Sequence, residues 1–334
     1  MSTLTAAAAS ESHVAHAARE ALARGNAVDA VVTAVLVAAA HTPGVLLGPV
    51  QLLVGGAGAG LVAVDGRVRQ PGLGIPRPRG ALSGDEVQAA ARVGVPALPV
   101  ALAAILASAG SATLTRAAAP AVEIARGLSP ERAAVLRAFG RRGPAAMTAE
   151  SLTAELVAIA GRAAGGALTD EDLSAVRPDV VTCGPRDLSD RGMFRVPWGT
   201  PEATGDTTQV VAATDRRGLV AIACYEAAVQ GLPVPSLGLL APAQASPVLR
   251  GQARLRPGQP LPAPAPIALQ ARRGQVELAL GVGATASAEA ELAGLVVTLS
   301  DEAILTAETL ARTTGRAIAL VRTRDAARVV SSAG

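Results

Sequence analysis

The chain has 334 residues, half of them apolar, yet only four are aromatic: Phe139, Phe194, Trp198 and Tyr225. That length suits one large domain or two ordinary ones, and so few rings exclude base-stacking platforms and aromatic cages as the basis of function. The 30 basic residues are all arginine against 27 acidic ones, so the formal charge of +3 calls for no nucleic-acid partner, and the missing lysine removes Schiff-base and P-loop chemistry.

At the start of the chain, the alanine run Ala6 to Ala9 has no basic region before it and a polar stretch, Ser10 to His13, after it, which is not the pattern of a secretory signal. Val14, Ala18, Ala21 and Leu22 form a helical stripe ending at Gly25, and Asn26 is placed to cap a second helix through Val28, Val31, Val32 and Leu36. From Thr42 to Val64 there is no charge, but Pro43, Pro49 and six glycines argue for buried strands and turns rather than a membrane span. Gln51 to Val54 and Gly60 to Val64 read as strands, with Asp65-Gly66 as a hairpin turn. The glycine string Gly55 to Gly60 lacks the lysine of a phosphate loop and reads as close backbone packing.

A helical block is expected from about residue 84 to 176. Its starts are marked by Ser83 and Glu86, by Ser129 before Pro130, and by Thr169 and Asp172 at capping-box spacing. The aperiodic segment Phe194 to Thr200 reads as a connector. Gln209 to Thr214, the turn Asp215 to Gly218, and Leu219 to Cys224 form a β-hairpin pattern. Five prolines between 251 and 266 mark an extended connection, and a second hairpin spans Ile267 to Gln270 and Val276 to Val282. Helices near Ser287 to Val297 and Asp301 to Arg312 lead to a last strand, Ala317 to Val321.

Three stretches, taken in order, resemble the large-subunit half of the gamma-glutamyltranspeptidases: Arg24 to Ala30, Ala119 to Gly127, and Leu168 to Leu173 with Arg177-Pro178. Gly205-Asp206-Thr207-Thr208-Gln209 is similar to that family's processing site, and Arg256 to Leu261 to a loop before its substrate-binding serines. The resemblance implies an α+β fold, a four-layer α-β-β-α sandwich of the N-terminal nucleophile hydrolase type. It also implies a single domain over 1–334, with a large-subunit-like segment 1–206 and a small-subunit-like segment 207–334 made by self-cleavage.

A threonine hydroxyl is a poor nucleophile near neutral pH, whereas a freed α-amino group titrates at about 7.7–8.0 and can take its proton. Cleavage would create both groups on one residue. The local string favours Thr207, while counting back from the turn at Asp215 and Gly218 gives Thr208. The resemblance implies that the family's oxyanion-hole amides would fall near Ala284 and Thr285.

Several positions depart from the family pattern. Tyr225-Glu226-Ala227-Ala228 stands where a threonine and an asparagine are expected, Ala241 to Ser246 holds no carboxylate, and Pro262 and Ala263 replace the paired serines. Arg67 and Arg69 lie out of register with the substrate arginine, and the stretch between Arg177-Pro178 and Thr207 is short, so a substrate other than the usual γ-glutamyl group is expected. The reading is an amidohydrolase or acyltransferase acting on a small-molecule amide; the alternative is an inactive member serving as a scaffold or partner subunit.

The remaining expectations are a cytoplasmic protein without cofactor, metal, membrane or nucleic-acid partner, forming a homo-oligomer or an association of its own cleaved fragments. His13, His16 and Glu20 share a helical face at spacings compatible with a metal but read as solvated, and Cys224 reads as a small buried hydrophobe.

Overall fold

The computed structural model describes residues 4–58, 60–76, 82, 86–183, 192–198, 207–227, 231–251, 253–272, 274–301, 310 and 315–331. In chain order the elements are β1 (Ala6–Ala9), α1 (Ser12–Leu22), α2 (Ala27–His41), β2 (Val50–Gly55), β3 (Leu61–Gly66), α3 (Leu98–Ala109), α4 (Leu114–Leu128), α5 (Pro130–Arg142), α6 (Glu150–Ala160) and α7 (Asp170–Ala175). They continue with β4 (Asp179–Cys183), β5 (Met193–Arg195), β6 (Thr208–Thr214), β7 (Val220–Glu226), β8 (Gly231–Val234), β9 (Leu239–Pro242), β10 (Ile267–Arg272), β11 (Gln275–Gly283), α8 (Ala288–Asp301), β12 (Arg316–Arg322) and β13 (Ala327–Ser331).

Two antiparallel sheets face each other, one in the order β1-β6-β7-β2-β3-β4 and the other β13-β12-β11-β10-β5. Alternation along the strands sends Val210, Ala212 and Ile222 of the first sheet against Ile267, Leu269 and Leu320 of the second. The residues between them, such as Val211, Ala213 and Ala223, point outward to a helical layer built around α2. On the far side of the second sheet, Leu278, Leu280 and Val282 pack on Leu292 and Leu295 of α8. The result is a four-layer α-β-β-α sandwich. Small side chains bring the sheets close: a Cβ on Gly281 would lie 2.4 Å from Val210.

Helix α2 is buried from Ala27 to Ala40, which its mostly small apolar residues permit, with Asp29 and Thr33 the polar exceptions. Its ends carry the polar work. Asn26 and Asp29 form a reciprocal capping box, and Asp29 also accepts from the Ser111 and Ala112 amides at 2.9 Å. At the other end Arg132, 7 % exposed, donates to the carbonyls of Ala40 at 2.6 Å and His41 at 3.2 Å, and to Gly238 at 2.9 Å. Burial lowers the Arg132 pKa, and the three carbonyls accept hydrogen bonds from its guanidinium.

Several expectations need correction. The hairpin turn between β2 and β3 is not Asp65-Gly66, which closes β3 opposite Val50 and Gln51, but the glycine string itself. Gly56, Ala57, Gly58 and Gly60 all have positive φ, the geometry a tight left-handed turn requires, and a Cβ on Gly56 would meet the Gly218 carbonyl oxygen at 2.1 Å. The turn and the close packing are therefore the same feature.

The segment read as a connector contains β5, whose Phe194 pairs with Leu269 at a sheet edge. The first α-helix of the expected helical block begins at Leu98 rather than Glu86, after a single 3₁₀ turn at Ala89–Arg92 and a bridge between Val95 and Arg69; Ser83 lies outside the described residues. The alanine run is a strand, β1, paired with β6, and β4, β8, β9 and β13 are strands that the sequence pattern does not mark. The caps at Ser129 and Thr169 and both later hairpins stand where expected. The helix expected near 301–312 falls almost wholly outside the described residues. No described helix is long and apolar enough to cross a membrane.

Candidate functional site

The β6–β7 hairpin sets the register at the candidate nucleophiles. Its turn pairs Thr214 with Val220, and counting outward along both strands brings Thr208 opposite Glu226. Thr207 extends the ladder by one further bond, its carbonyl accepting from the Ala227 amide at 2.9 Å. Its side-chain hydroxyl donates to Glu226 Oε1 at 3.1 Å, and the second oxygen of that carboxylate accepts from the side-chain amide of Gln244. Thr207 thus sits half-buried at the mouth of a strand, with its hydroxyl on a carboxylate that is itself oriented from the loop after β9.

Thr208 points the other way, into the space between the sheets. It is 2 % exposed, and its hydroxyl has no hydrogen-bond partner among the described residues. Beside it lies a cavity of about 10 Å³, lined in part by Gln51, Cys224 and Pro264, which is room for one water at most. The floor is fixed: Gln51 donates to the Pro264 carbonyl at 2.7 Å and accepts from the Trp198 indole at 2.7 Å. The Cys224 thiol rests on the carbonyls of Gln51 and Pro264, and burial, reinforced by nearby Glu289, pushes its pKa up, so it is an inert thiol and not a nucleophile.

Ala284 follows β11 with φ +57 and donates its amide to the Thr208 carbonyl at 2.7 Å. A Cβ on Gly283 would lie 2.8 Å from that same oxygen, so glycine there allows the second sheet to reach the start of β6. Thr285 turns its hydroxyl toward Ser287 and Glu291. The structure therefore brings Thr207, Thr208 and Ala284 to one end of the sandwich.

The other candidates serve elsewhere. Arg67 forks onto Asp65 at 2.8 Å beneath Trp198, and Arg69 pairs with Asp179 at 3.0 Å. The ring of His13 packs on His41 with centroids 4.3 Å apart, whereas His16 and Glu20 are exposed. Among the described residues no three histidine, cysteine or acidic side chains gather as a metal-binding set. Tyr225, adjacent to Glu226, faces the helical layer and donates to Glu11 at 2.8 Å.

Glu226 and Gln244 are the residues that sequence reasoning missed. Both stand in stretches notable in the sequence only for lacking the family's groups. The signal was present, since a carboxylate ending the apolar run Val220 to Tyr225 must lie across from Thr208 once the turn at Asp215 to Gly218 is accepted. Asp206 lies outside the described residues.

Among known proteins, no family model and no curated relative matches the chain. Solved structures do. A cephalosporin acylase from Bacillus halodurans superposes with TM-score 0.76 at 14 % identity, over 98 % of this chain and 96 % of that one. The structure of LmbA2991HD gives 0.75 at 14 %, over 99 % and 96 %. A gamma-glutamyltranspeptidase from Pseudomonas nitroreducens complexed with L-DON matches 56 % of this chain and 67 % of its own, at 20 % identity and TM-score 0.45. The chain has the fold of the N-terminal nucleophile hydrolases.

Proposed function

We propose that the protein is an amide hydrolase or acyltransferase whose nucleophile is Thr207, freed by cleavage of the bond after Asp206. The observation that carries this reading is the 3.1 Å hydrogen bond from the Thr207 hydroxyl to Glu226 at the head of β6, within the hydrolase fold. In the first step the hydroxyl oxygen attacks the Asp206 carbonyl carbon as Glu226 takes the proton. The C–N bond then breaks and the proton goes to the departing nitrogen, leaving an ester on Thr207. Water hydrolyses that ester and leaves a free α-amine beside a free hydroxyl. In turnover the amine accepts the hydroxyl proton, Thr207 attacks the substrate amide, and the amine product leaves with the proton. Water or a second amine then takes the acyl group.

Oxyanion stabilisation is assigned to the backbone at Ala284 and Thr285. Because the Ala284 amide already serves the Thr208 carbonyl, its role there requires that bond to be shared. The acyl group is proposed to lack a free amino-acid end: Pro262 and Ala263 offer no side-chain donors, and Ala241 to Ser246 offer no carboxylate.

The test is turnover of two chromogenic amides, a γ-glutamyl anilide and a simple aliphatic acyl anilide. The expected result is hydrolysis of the acyl anilide, lost in Thr207→Ala and retained in Thr208→Ser. Turnover that survives Thr207→Ala and disappears in Thr208→Ala would transfer the role to Thr208. Its buried, unpartnered hydroxyl is the observation that keeps it second.

A further inference from the structure

At the end of the sandwich opposite Thr207, the hairpin turns of both sheets converge. Register fixes this. Gly55 and Thr214 both pair with Val220, which places the β2–β3 and β6–β7 turns together. In the second sheet Gly283 pairs with Arg316 next to the Thr208 contact, so the β10–β11 and β12–β13 turns lie at the other end. Between the four turns is a cavity of about 750 Å³, inside the roughly 300–1,000 Å³ range of small-molecule sites.

Its described lining contains Arg217, Arg272, Arg322 and Arg324 against a single carboxylate, Glu277. In a chain with a formal charge of only +3, an excess of three positive charges around one cavity is a strong local bias. The four guanidiniums do not play the same part. Arg322 is anchored: it donates to the Asp215 carbonyl at 2.6 Å, the Thr214 hydroxyl at 3.1 Å and the Leu4 carbonyl at 3.2 Å, and so ties the two sheets together. Arg217, Arg272 and Arg324 come from three different turns, are exposed, and have no ion pair among the described residues. Like charges left convergent and unpaired disfavour the folded state, and an anion between them would remove that repulsion.

We propose that this cavity binds a small molecule carrying two or more linked phosphates, held by Arg217, Arg272 and Arg324 on the base that Arg322 fixes. Guanidinium forks match phosphate oxygens in pairs, and three forks approaching from three directions suit an oligophosphate better than a single planar carboxylate. The inference does not depend on the proposed reaction, because Thr207 lies at the other end of β6.

The experiment is calorimetric titration of inorganic pyrophosphate into the full-length protein at low ionic strength, beside orthophosphate and citrate and beside the double variant Arg272→Gln/Arg324→Gln. The proposal expects one pyrophosphate per chain, orthophosphate and citrate each weaker, and affinity for pyrophosphate reduced about tenfold or more in the variant. The thermal midpoint of the unliganded variant should be unchanged or raised, which shows that it folds. Absence of pyrophosphate binding, equal affinity in the folded variant, or citrate binding as tightly as pyrophosphate would each overturn it.

Discussion

Glu226 carries the most weight of any single side chain in the proposed chemistry. It receives the Thr207 hydroxyl on one oxygen and the Gln244 amide on the other, so it can take a proton without first having to be oriented. Replacing it by glutamine keeps the shape and removes the base. Glu226→Gln is expected to slow cleavage before Thr207 by about 10²–10⁴-fold, the usual contribution of a positioned base, and to leave the thermal midpoint almost unchanged. Time courses of fragment appearance on a denaturing gel check this, and an unaltered rate would assign the proton transfer elsewhere. The sequence made Thr207 and Thr208 legible because they sit in a recognisable string at the head of a strand. It hid Glu226 because that carboxylate lies 19 residues along the chain from Thr207, and only the register of the hairpin joins them.

At the scale of elements, local signals decided what could be read. Caps are short-range chemistry, and Asn26, Ser129 and Thr169 each start the helix their type predicts. Asn26→Ala removes the acceptor for the Val28 and Asp29 amides and the 2.7 Å bond to the Ala109 carbonyl, and is expected to cost about 1–2 kcal/mol in urea unfolding. The β2–β3 turn was misplaced because a glycine string and an Asp-Gly pair both signal turns. Only the cross-strand register of β2 with β3, which pairs Gly55 with Leu61 and leaves Asp65 and Gly66 at the far end, shows which one closes the hairpin. Gly56→Ala tests that assignment: φ +89 and the carbonyl of Gly218 leave no room for a methyl group, so the variant should be destabilised by more than Gly58→Ala, whose added Cβ meets nothing within 4 Å. The edge strands β1, β4, β5 and β13 were obscured for a different reason: short alanine-rich or partly exposed runs carry little periodicity, and partners distant in sequence make them strands.

The whole molecule is a sandwich whose central strands bury titratable groups, and this shapes its response to pH. Burial raises the pKa of Tyr225 above its ordinary 10.0 and that of Cys224 above its ordinary 9.0, so the stability they contribute is present below those values and lost as pH climbs past them. His41 is shifted down from 6.5 by burial and by His13, so its contribution holds above 6.5 and fades as pH falls through its folded value. Urea midpoints should therefore be flat between about pH 6.5 and 9.0 and fall on both sides, with a shallower alkaline fall in Tyr225→Phe. The layered architecture itself was accessible from the sequence through the resemblance, not through periodicity, since strands buried on both faces show no alternation. The oligophosphate cavity was not accessible at all, because its arginines come from three turns that only the folded sheets bring together. The most direct test of the central claim is the intact mass of the full-length protein under denaturing conditions after prolonged incubation. The account predicts two polypeptides, the smaller beginning at Thr207, in the wild-type protein and a single one in Thr207→Ala; one uncut chain in both would contradict it.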